Sequence, residues 1–215
     1  WYEEHIEVLR KPFEEGTARR LALVYGNLDQ IDRQGRMVLE GCLNIVPSPQ
    51  PKRSLHDCLR HDMFILPGAS LVARQAIIDV GLFDERLSGY EDDDLFVRMF
   101  SAGFRSKYIN KAISRWRIYS GSTSFSMRMA KSRIIYFQKL LESYPDDPGL
   151  DVYWGRSVIA PRFMSLARNE FVRGSRALDI PRMRQSWDDM KIIASALKWR
   201  IKARMYILEP LIKAT

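Results

Sequence analysis

The sequence predicts a mixed α/β region followed by an all-helical region, and three observations support this fold class. Before residue 120, short apolar runs typical of buried strands alternate with segments of helical periodicity. After Gly121, apolar residues recur at helical spacing through three long segments. The charge changes at the same place. Lys+Arg and Asp+Glu number 17 each up to Ser120 but 17 and 9 from Gly121 onward, so the net charge of +8 belongs to the helical region.

The elements of the first region follow from three kinds of local pattern. Apolar residues three or four apart among charged ones predict helix, compact or alternating apolar runs predict strand, and clusters of Asp, Gly or Pro predict turns. In order, these patterns predict a helix within 1–13 ended by Pro12 and Gly16, a buried strand over 21–25, turn formers over 27–36, an extended segment over 37–46 and a proline-rich loop over 47–51.

The same patterns continue to the end of this region. They predict a short helix over 55–60, an extended segment over 63–72, a helix over 73–80 ended by Gly81, a helix over 91–102 ended by Gly103, and one or two strands over 104–118. The helix over 91–102 has the strongest signal, because acidic residues fill its first turn and apolar residues line one side.

The second region is predicted to contain three helices, over 127–144, 153–173 and 183–208. The last combines an apolar stripe with five basic residues: Lys191, Lys198, Arg200, Lys202 and Arg204. Two interpretations stay open at this point. The basic side is either the solvated face of a packed helix or an interfacial surface attracted to anionic lipid. Nucleic acid is a weaker alternative, since few stacking aromatics accompany the basic residues.

Length and composition exclude several classes of protein. A chain of 215 residues with 46% apolar and 28% charged residues is typical of packed globular proteins, which excludes fibrous, disulfide-scaffold and disordered classes. The longest apolar stretch, 64–73, is much shorter than the roughly 20 residues that span a bilayer. Cys42 and Cys58 give no oxidising signature, so we expect reduced thiols and a cytoplasmic location. The chain starts at Trp1 without a leader pattern and is expected to be part of a longer protein.

The densest candidate for chemistry is the acidic run Glu91–Asp94 within GYEDDDLFVR. Acidic residues favour helix N-termini, so the run is explained in part by the helix alone. A carboxylate at a rigid helix start can also accept a proton from an attacking hydroxyl. Spacing alone does not choose between these two roles. A metal cluster of His56, Cys58 and His61 is a weaker candidate, because structural zinc normally takes four Cys or His ligands.

The surrounding segment, 67–105, resembles the acceptor-side half of the family-2 glycosyltransferases, which are inverting nucleotide-sugar enzymes with the GT-A fold. Four separate motifs match in order: Gly68, Ala69, Ser70 and Arg74; Gly81, Phe83, Asp84 and Glu85; Glu91 and Asp92; and Gly103, Phe104 and Arg105. The resemblance covers 1–124. It therefore implies a partial GT-A-like domain, a mixed sheet with flanking helices, over 1–124 and leaves 125–215 as a basic helical region.

Two flanking segments extend the resemblance with one departure each. VYGNLDQIDRQGR, 24–36, resembles the family's Tyr-Gly-Asp strand and hairpin, with Asn27 where Asp is common. RIYSGSTS, 117–124, resembles its Arg-x-His-x-x-Ser segment, with Tyr119 in place of the His. In some relatives that imidazole lies near the metal and diphosphate.

The resemblance also implies that a nucleotide-binding half precedes Trp1. Family members carry a DxD motif there, commonly followed by a Trp, and the motif's carboxylates hold a divalent cation, Mn or Mg, on the donor diphosphate. WYEEHIEVL looks like the residues just after this motif. The chain alone is therefore expected to be inactive.

The resemblance implies roles for individual residues. Asp92 aligns with the general base and Glu91 would position or polarise, while Asp93 and Asp94 would cap the helix or pair with Arg98 or Arg105. The residues implied to lie near substrate are Gly68, Ala69, Ser70, Asp93, Arg117, Tyr119 and His61.

The implied activity is transfer of a sugar, with inversion, from a nucleotide-sugar donor to a glycan or lipid-linked acceptor at the inner membrane face, in surface polysaccharide or glycoconjugate synthesis. The alternative function is a non-catalytic basic helical module that binds an anionic membrane or a protein partner.

Overall fold

The computed structural model describes residues 1–16, 18–119 and 127–197. The chain forms two compact units, Trp1–Ser126 and Met127–Thr215. The first unit contains helices and a four-stranded mixed sheet, and the described part of the second contains helices. The predicted mixed α/β class is therefore confirmed. The assignment of the first unit to half of a glycosyltransferase domain stays a prediction.

Helices and strands are interspersed along the sequence of the first unit. The elements are α1 (His5–Glu14), β1 (Leu21–Ile31), β2 (Met37–Leu39), α2 (Leu55–Arg60), β3 (Ser70–Val72), α3 (Arg74–Asp79), α4 (Glu91–Ser101) and β4 (Arg105–Arg117). The predicted bounds of α2 are confirmed, and those of α3 and α4 agree to within one residue. Gly81 and Gly103 follow these two helices with positive φ, as predicted for helix ends.

The sheet is organised around β1. Strand β4 runs parallel to β1 along its whole length, from Leu21 opposite Arg105 to Ile31 opposite Arg117. Strands β3 and β2 are antiparallel to β1, the first near its beginning and the second near its end. Because a strand has only two edges and β4 occupies one, β2 and β3 share the other. Residues 22–29 of β1 are all buried.

Strand β1 is longer than predicted. The sequence pattern predicts a strand over 21–25 followed by turn formers, but β1 continues to Ile31 and the tight turn begins only at Asp32. The reason is that the buried polar residues of 27–29 find hydrogen-bond partners in other segments. Asn27 shows this most clearly, with 1% of its surface exposed.

All of the polar atoms of the Asn27 side chain are used. Its Oδ1 accepts backbone N–H bonds from Leu28 at 2.8 Å and Leu43 at 2.9 Å. Its Nδ2 donates to the side-chain oxygens of Asn44 at 3.2 Å and Asn110 at 3.0 Å. Asn27 thereby joins the loop after β2 to strand β4. The predicted extended segment over 37–46 is wrong after Leu39, since Cys42–Asn44 forms a 3₁₀ turn bound to this amide.

Asp29 connects the beginning of the chain to the same strand. Its carboxylate accepts a hydrogen bond from the Tyr2 hydroxyl at 2.5 Å and another from the Gly41 backbone at 2.8 Å. The Arg115 guanidinium lies 4.6 Å from the centre of the Tyr2 ring. These contacts offset the cost of burying a carboxylate.

The sequence also predicts that Pro12 ends the first helix, and this prediction is wrong. Pro12 lies inside α1, which continues to Glu14. His5, Leu9 and Pro12 form the buried side of the helix at spacings of four and three residues. Burial of the proline ring on this side offsets the hydrogen bond that its missing N–H removes.

The second unit contains α5 (Met127–Ser143), a π-helical turn (Gly155–Ile159) that leads into α6 (Ala160–Arg176), and α7 (Ile180–Ala194). The sequence predicts that the middle helix ends at residue 173, before Gly174, but α6 continues through Gly174 to Arg176. A Cβ at Gly174 would lie 3.1 Å from Met183 Cγ, so the glycine permits close packing of α6 and α7 instead. Of the predicted helix over 183–208, residues 198–208 lie outside the described part of the chain.

Two further sequence predictions concern membranes and thiols. Within the described ranges, no helix is both long and apolar enough to cross a bilayer. Cys42 and Cys58 are both buried and form no disulfide bond.

The closest packing between β1 and β4 generates the first testable prediction. A Cβ at Gly26 would lie 2.5 Å from both Cγ1 and Cδ1 of Ile113, which is itself fully buried. We expect Gly26→Ala to destabilise the first unit by about 1–3 kcal/mol, because the core cannot take the extra methyl group without moving. Hydrogen exchange of the β1 amides measures this unit by itself.

The control for this experiment is Gly68→Ala, where an added Cβ meets nothing within 4 Å among the described residues. In an Ile113→Ala background, the cost of Gly26→Ala should fall but not vanish, because the Lys111 carbonyl oxygen would still lie 3.2 Å from the added Cβ. Equal costs in both backgrounds would show that the clash is not with Ile113.

The second unit buries an ion pair. Arg133 Nη1 lies 3.6 Å from Asp189 Oδ2, and Asp189 has no exposed surface. The Gln185 amide donates a 2.8 Å hydrogen bond to the other carboxylate oxygen. Burial raises the pKa of Asp189, although the bond from Gln185 and the charge of Arg133 oppose this shift.

The second prediction follows from the sign of that shift. A raised pKa means that the folded chain retains the proton where the unfolded chain has lost it. The contribution of Asp189 to stability therefore falls as pH rises from about 4 through the folded-state pKa. We expect Asp189→Asn to lack this decline. The free energy of unfolding of the variant should therefore increase relative to that of the natural chain between pH 4 and 7. Urea unfolding followed by circular dichroism measures the difference, and a constant value would contradict the shift.

Candidate active site

Helix α4 begins at an unusual backbone position. Tyr90, immediately before the helix, has a left-handed φ of 66°, which is uncommon for a residue with a side chain. The next four residues are the acidic run, and they occupy the first helical turn as the sequence predicts. Asp92 Oδ1 accepts a 2.9 Å bond from the Asp93 backbone N–H. The positive end of the helix therefore faces this cluster of negative charge.

Asp94 has a structural role in this cluster. Its carboxylate Oδ2 accepts bonds from the Arg98 guanidinium at 2.9 and 2.8 Å. The same guanidinium donates to the backbone carbonyls of Val80 and Leu82. The predicted pairing of Asp94 with Arg98 is confirmed, and it holds the turn after α3 against α4. Asp93 is buried as well.

Glu91 and Asp92 are more exposed than the two buried aspartates, Asp93 and Asp94. Glu91 and Asp92 are each half-buried. Glu91 Oε2 is shielded from solvent and has no hydrogen-bond partner in the described part of the chain. Burial raises the pKa of Asp92, and the neighbouring Glu91 charge raises it further, while the N–H of Asp93 opposes the shift. A carboxylate with a raised pKa is a better proton acceptor, which is the property that a general base requires.

The small residues at the start of β3 have three different environments. Gly68 is exposed, its φ lies outside the left-handed region, and a Cβ there would meet no described atom within 4 Å. Ala69 is buried in the main core of the first unit. The Ser70 hydroxyl donates to the Pro67 carbonyl at 3.2 Å. The Trp1 indole also donates to the Gly68 carbonyl, at 2.5 Å. Of the three, Gly68 is therefore the position open to another molecule.

The sheet register separates Ser70 from two other predicted site residues. Ser70 pairs with Tyr25 and Arg117 pairs with Ile31, so they lie six residues apart along β1, or about 20 Å. Tyr119 follows Arg117 and is 44% exposed. Arg117 and Tyr119 are therefore near the opposite end of β1 from Ser70.

Arg117 and His61 have structural contacts. Arg117 Nη1 donates to the backbone carbonyls of Asp32 and Arg33, at 3.0 and 2.9 Å, and so holds the turn after β1. His61 directly follows α2 and its backbone N–H donates to the Asp57 carbonyl at 3.2 Å. The bonds of Arg117 give its side chain a structural role, whereas the bond of His61 involves only its backbone. The predicted substrate contacts of both residues stay predictions.

The contact between Trp1 and Gly68 was missed at the sequence level. The two residues are 67 positions apart, and neither the composition nor the periodicity of either segment signals that they meet. Among the residues that the structure describes, no group of three or more His, Cys, Asp or Glu side chains is arranged to hold a metal ion. This includes His56, Cys58 and His61.

A scan against protein-family models and a search of curated proteins gave no match to this chain. The resemblance to family-2 glycosyltransferases thus depends on the motifs quoted above.

The electrostatics of the acidic run generate the third prediction. The pKa of Asp92 should lie above that of an ordinary aspartate, and Glu91→Gln should lower it because one of the causes of the shift is removed. A pH titration of the carboxyl ¹³C resonance measures both values. Glu85→Gln, the same chemical change at an exposed position, is the matched control and should leave the Asp92 pKa unaltered. An identical pKa in both variants would contradict the coupling.

Proposed function

We propose that the first unit forms the acceptor side of an inverting glycosyltransferase that uses a nucleotide-sugar donor. Asp92 is the general base of this proposal and Glu91 the residue that tunes it. The observation that carries the proposal is the pair of half-buried carboxylates at the first turn of α4, where burial raises the pKa of Asp92.

The proposed reaction is a single displacement. The acceptor hydroxyl oxygen forms a bond to the anomeric carbon of the donor sugar while the bond from that carbon to the nucleotide diphosphate breaks. The hydroxyl proton moves to the Asp92 carboxylate, and the diphosphate leaves with the electron pair. The attack and departure occur on opposite faces of the sugar, which inverts its configuration.

The division of labour within the acidic run supports this assignment. Asp94 is fully used in holding Arg98 and the turn after α3, so α4 has a fixed start. Asp92 keeps one oxygen bonded to the Asp93 N–H, which orients the carboxylate. A general base needs this combination of fixed position and raised pKa.

Gly68 provides separate support. Neither its backbone conformation nor the packing around it requires a glycine among the described residues. A remaining reason for glycine at this position is close approach of another molecule to the backbone, as a sugar acceptor would need. The divalent cation of the family is expected on a motif outside this chain, so the proposal assigns no metal ligand here.

The resemblance implies a nucleotide-binding half before Trp1, so the fourth prediction tests the general base in a protein that carries both halves. Transfer is measured as nucleotide diphosphate released from a panel of nucleotide sugars, with and without candidate acceptors. We expect Asp92→Asn to slow transfer by about 10²–10⁴-fold, since an amide cannot accept the proton. Donor binding and the unfolding midpoint should stay nearly unchanged.

Asp79→Asn is the matched control, because Asp79 is an exposed aspartate of α3 whose contact is a bond from Gln75. It should retain full activity. Turnover retained by Asp92→Asn would count against the proposal, and anionic vesicle binding that survives in that variant would favour the basic helical module instead.

A further inference from the structure

We propose that a pocket at the end of α4 opposite to the acidic run binds a small anionic ligand. The pocket has a volume of about 490 Å³. Its lining includes Lys52 and Arg53 before α2, Phe100 and Phe104 near the end of α4, and Arg105 at the start of β4. This proposal does not depend on the proposed glycosyl transfer.

The charge of the lining is the first argument. Three of the ten lining residues are basic and none is acidic. The side chains of Arg53 and Arg105 are exposed, and neither guanidinium forms an ion pair within the part of the chain that the structure describes. Lys52 is buried, with 3% of its surface exposed, and its ammonium donates to the Ser48 hydroxyl. The lining therefore offers two exposed arginines to a ligand, while Lys52 is a buried basic residue beside them.

The end of α4 does not cancel this positive charge. A helix C-terminus carries partial negative charge on its last carbonyls. Here Arg20 Nη2 donates to the Ala102 carbonyl at 2.9 Å, and the same guanidinium lies 4.7 Å from the centre of the Phe104 ring. The Phe100 carbonyl accepts a bond from the Gly103 N–H. A cation thus covers the negative end of the helix beside the pocket.

The size and the aromatic residues define the class of ligand. A volume of several hundred cubic ångströms is typical of sites for small molecules. Phe100 and Phe104 are half-buried and add apolar surface to the basic residues. The pocket fits a phosphorylated or carboxylated small molecule that also has an apolar or planar part.

The pocket is separate from the candidate active site. Asp92 and Phe100 are eight residues apart in the same helix, which corresponds to about 12 Å along its axis. The acidic run and the basic pocket thus lie at opposite ends of α4.

The fifth prediction tests the pocket on the whole chain with 1-naphthyl phosphate and inorganic phosphate as probes, followed by amide chemical shifts. Naphthyl phosphate should shift amides of 51–55 and 103–106 and should bind more tightly than phosphate. We expect the double variant Arg53→Gln/Arg105→Gln to bind it at least about tenfold more weakly, because two charge-assisted contacts are lost. Affinity should also fall with salt.

The control double variant is Arg33→Gln/Arg74→Gln. It removes the same charge from two exposed arginines that do not line the pocket. Its affinity for naphthyl phosphate should be within about twofold of that of the natural chain, a difference that corresponds to well under 1 kcal/mol.

An equal loss of affinity for naphthyl phosphate in the two double variants would overturn the proposal, since it would reflect the net charge of the chain alone. Shifts that map outside 51–55 and 103–106 would also overturn it. A third arm uses vesicles containing phosphatidylglycerol. Binding to vesicles that needs Arg53 and Arg105, without binding of naphthyl phosphate, would replace the small ligand by a lipid surface and overturn the assignment.

Discussion

The burial of β1 on both faces is the constraint on which the first unit depends. Residues 22–29 are all buried, so both faces of the strand are covered by packed residues, and its two edges are paired, one with β4 and the other with β2 and β3. Polar groups inside such a strand must be satisfied by neighbouring segments. Asn27 binds the 3₁₀ turn after β2 and a residue of β4, while Asp29 binds the start of the chain through Tyr2. The irregular segments are thus held in place by the polar residues of the central strand.

Helix α4 shows how one acidic run serves both stability and chemistry. Asp94 is committed to Arg98, which in turn holds the carbonyls of the preceding turn. This arrangement fixes the first turn of the helix and leaves Glu91 and Asp92 half-buried beside each other. Four adjacent carboxylates are tolerated because the helix N-terminus, Arg98 and the Asp93 N–H each neutralise part of their charge.

The first unit has almost no net charge, but it holds an acidic group and a basic group that are separated in space. Basic and acidic residues are equal in number up to Ser120, which gives no indication of a charged site. In the structure, acids collect at the start of α4, whereas Lys52, Arg53 and Arg105 collect near its end. The two groups come from three separate stretches of the sequence. Arg105 follows α4 directly in the sequence, whereas Lys52 and Arg53 reach the end of α4 through the packing of α2 against that helix.

Local signals in the sequence determined α2, α3 and α4, because helix caps, acidic first turns and terminal glycines act over a few neighbouring residues. They also placed the four carboxylates at the start of α4. The length of β1, the helical position of Pro12, the interior position of Gly174 and the bond between Trp1 and Gly68 were decided by the tertiary structure. In each case the deciding interaction joins residues that are distant in sequence or depends on burial: partners for buried polar atoms, a ring in the core, or a neighbouring helix without space for a Cβ. Short-range patterns carry no information about such contacts.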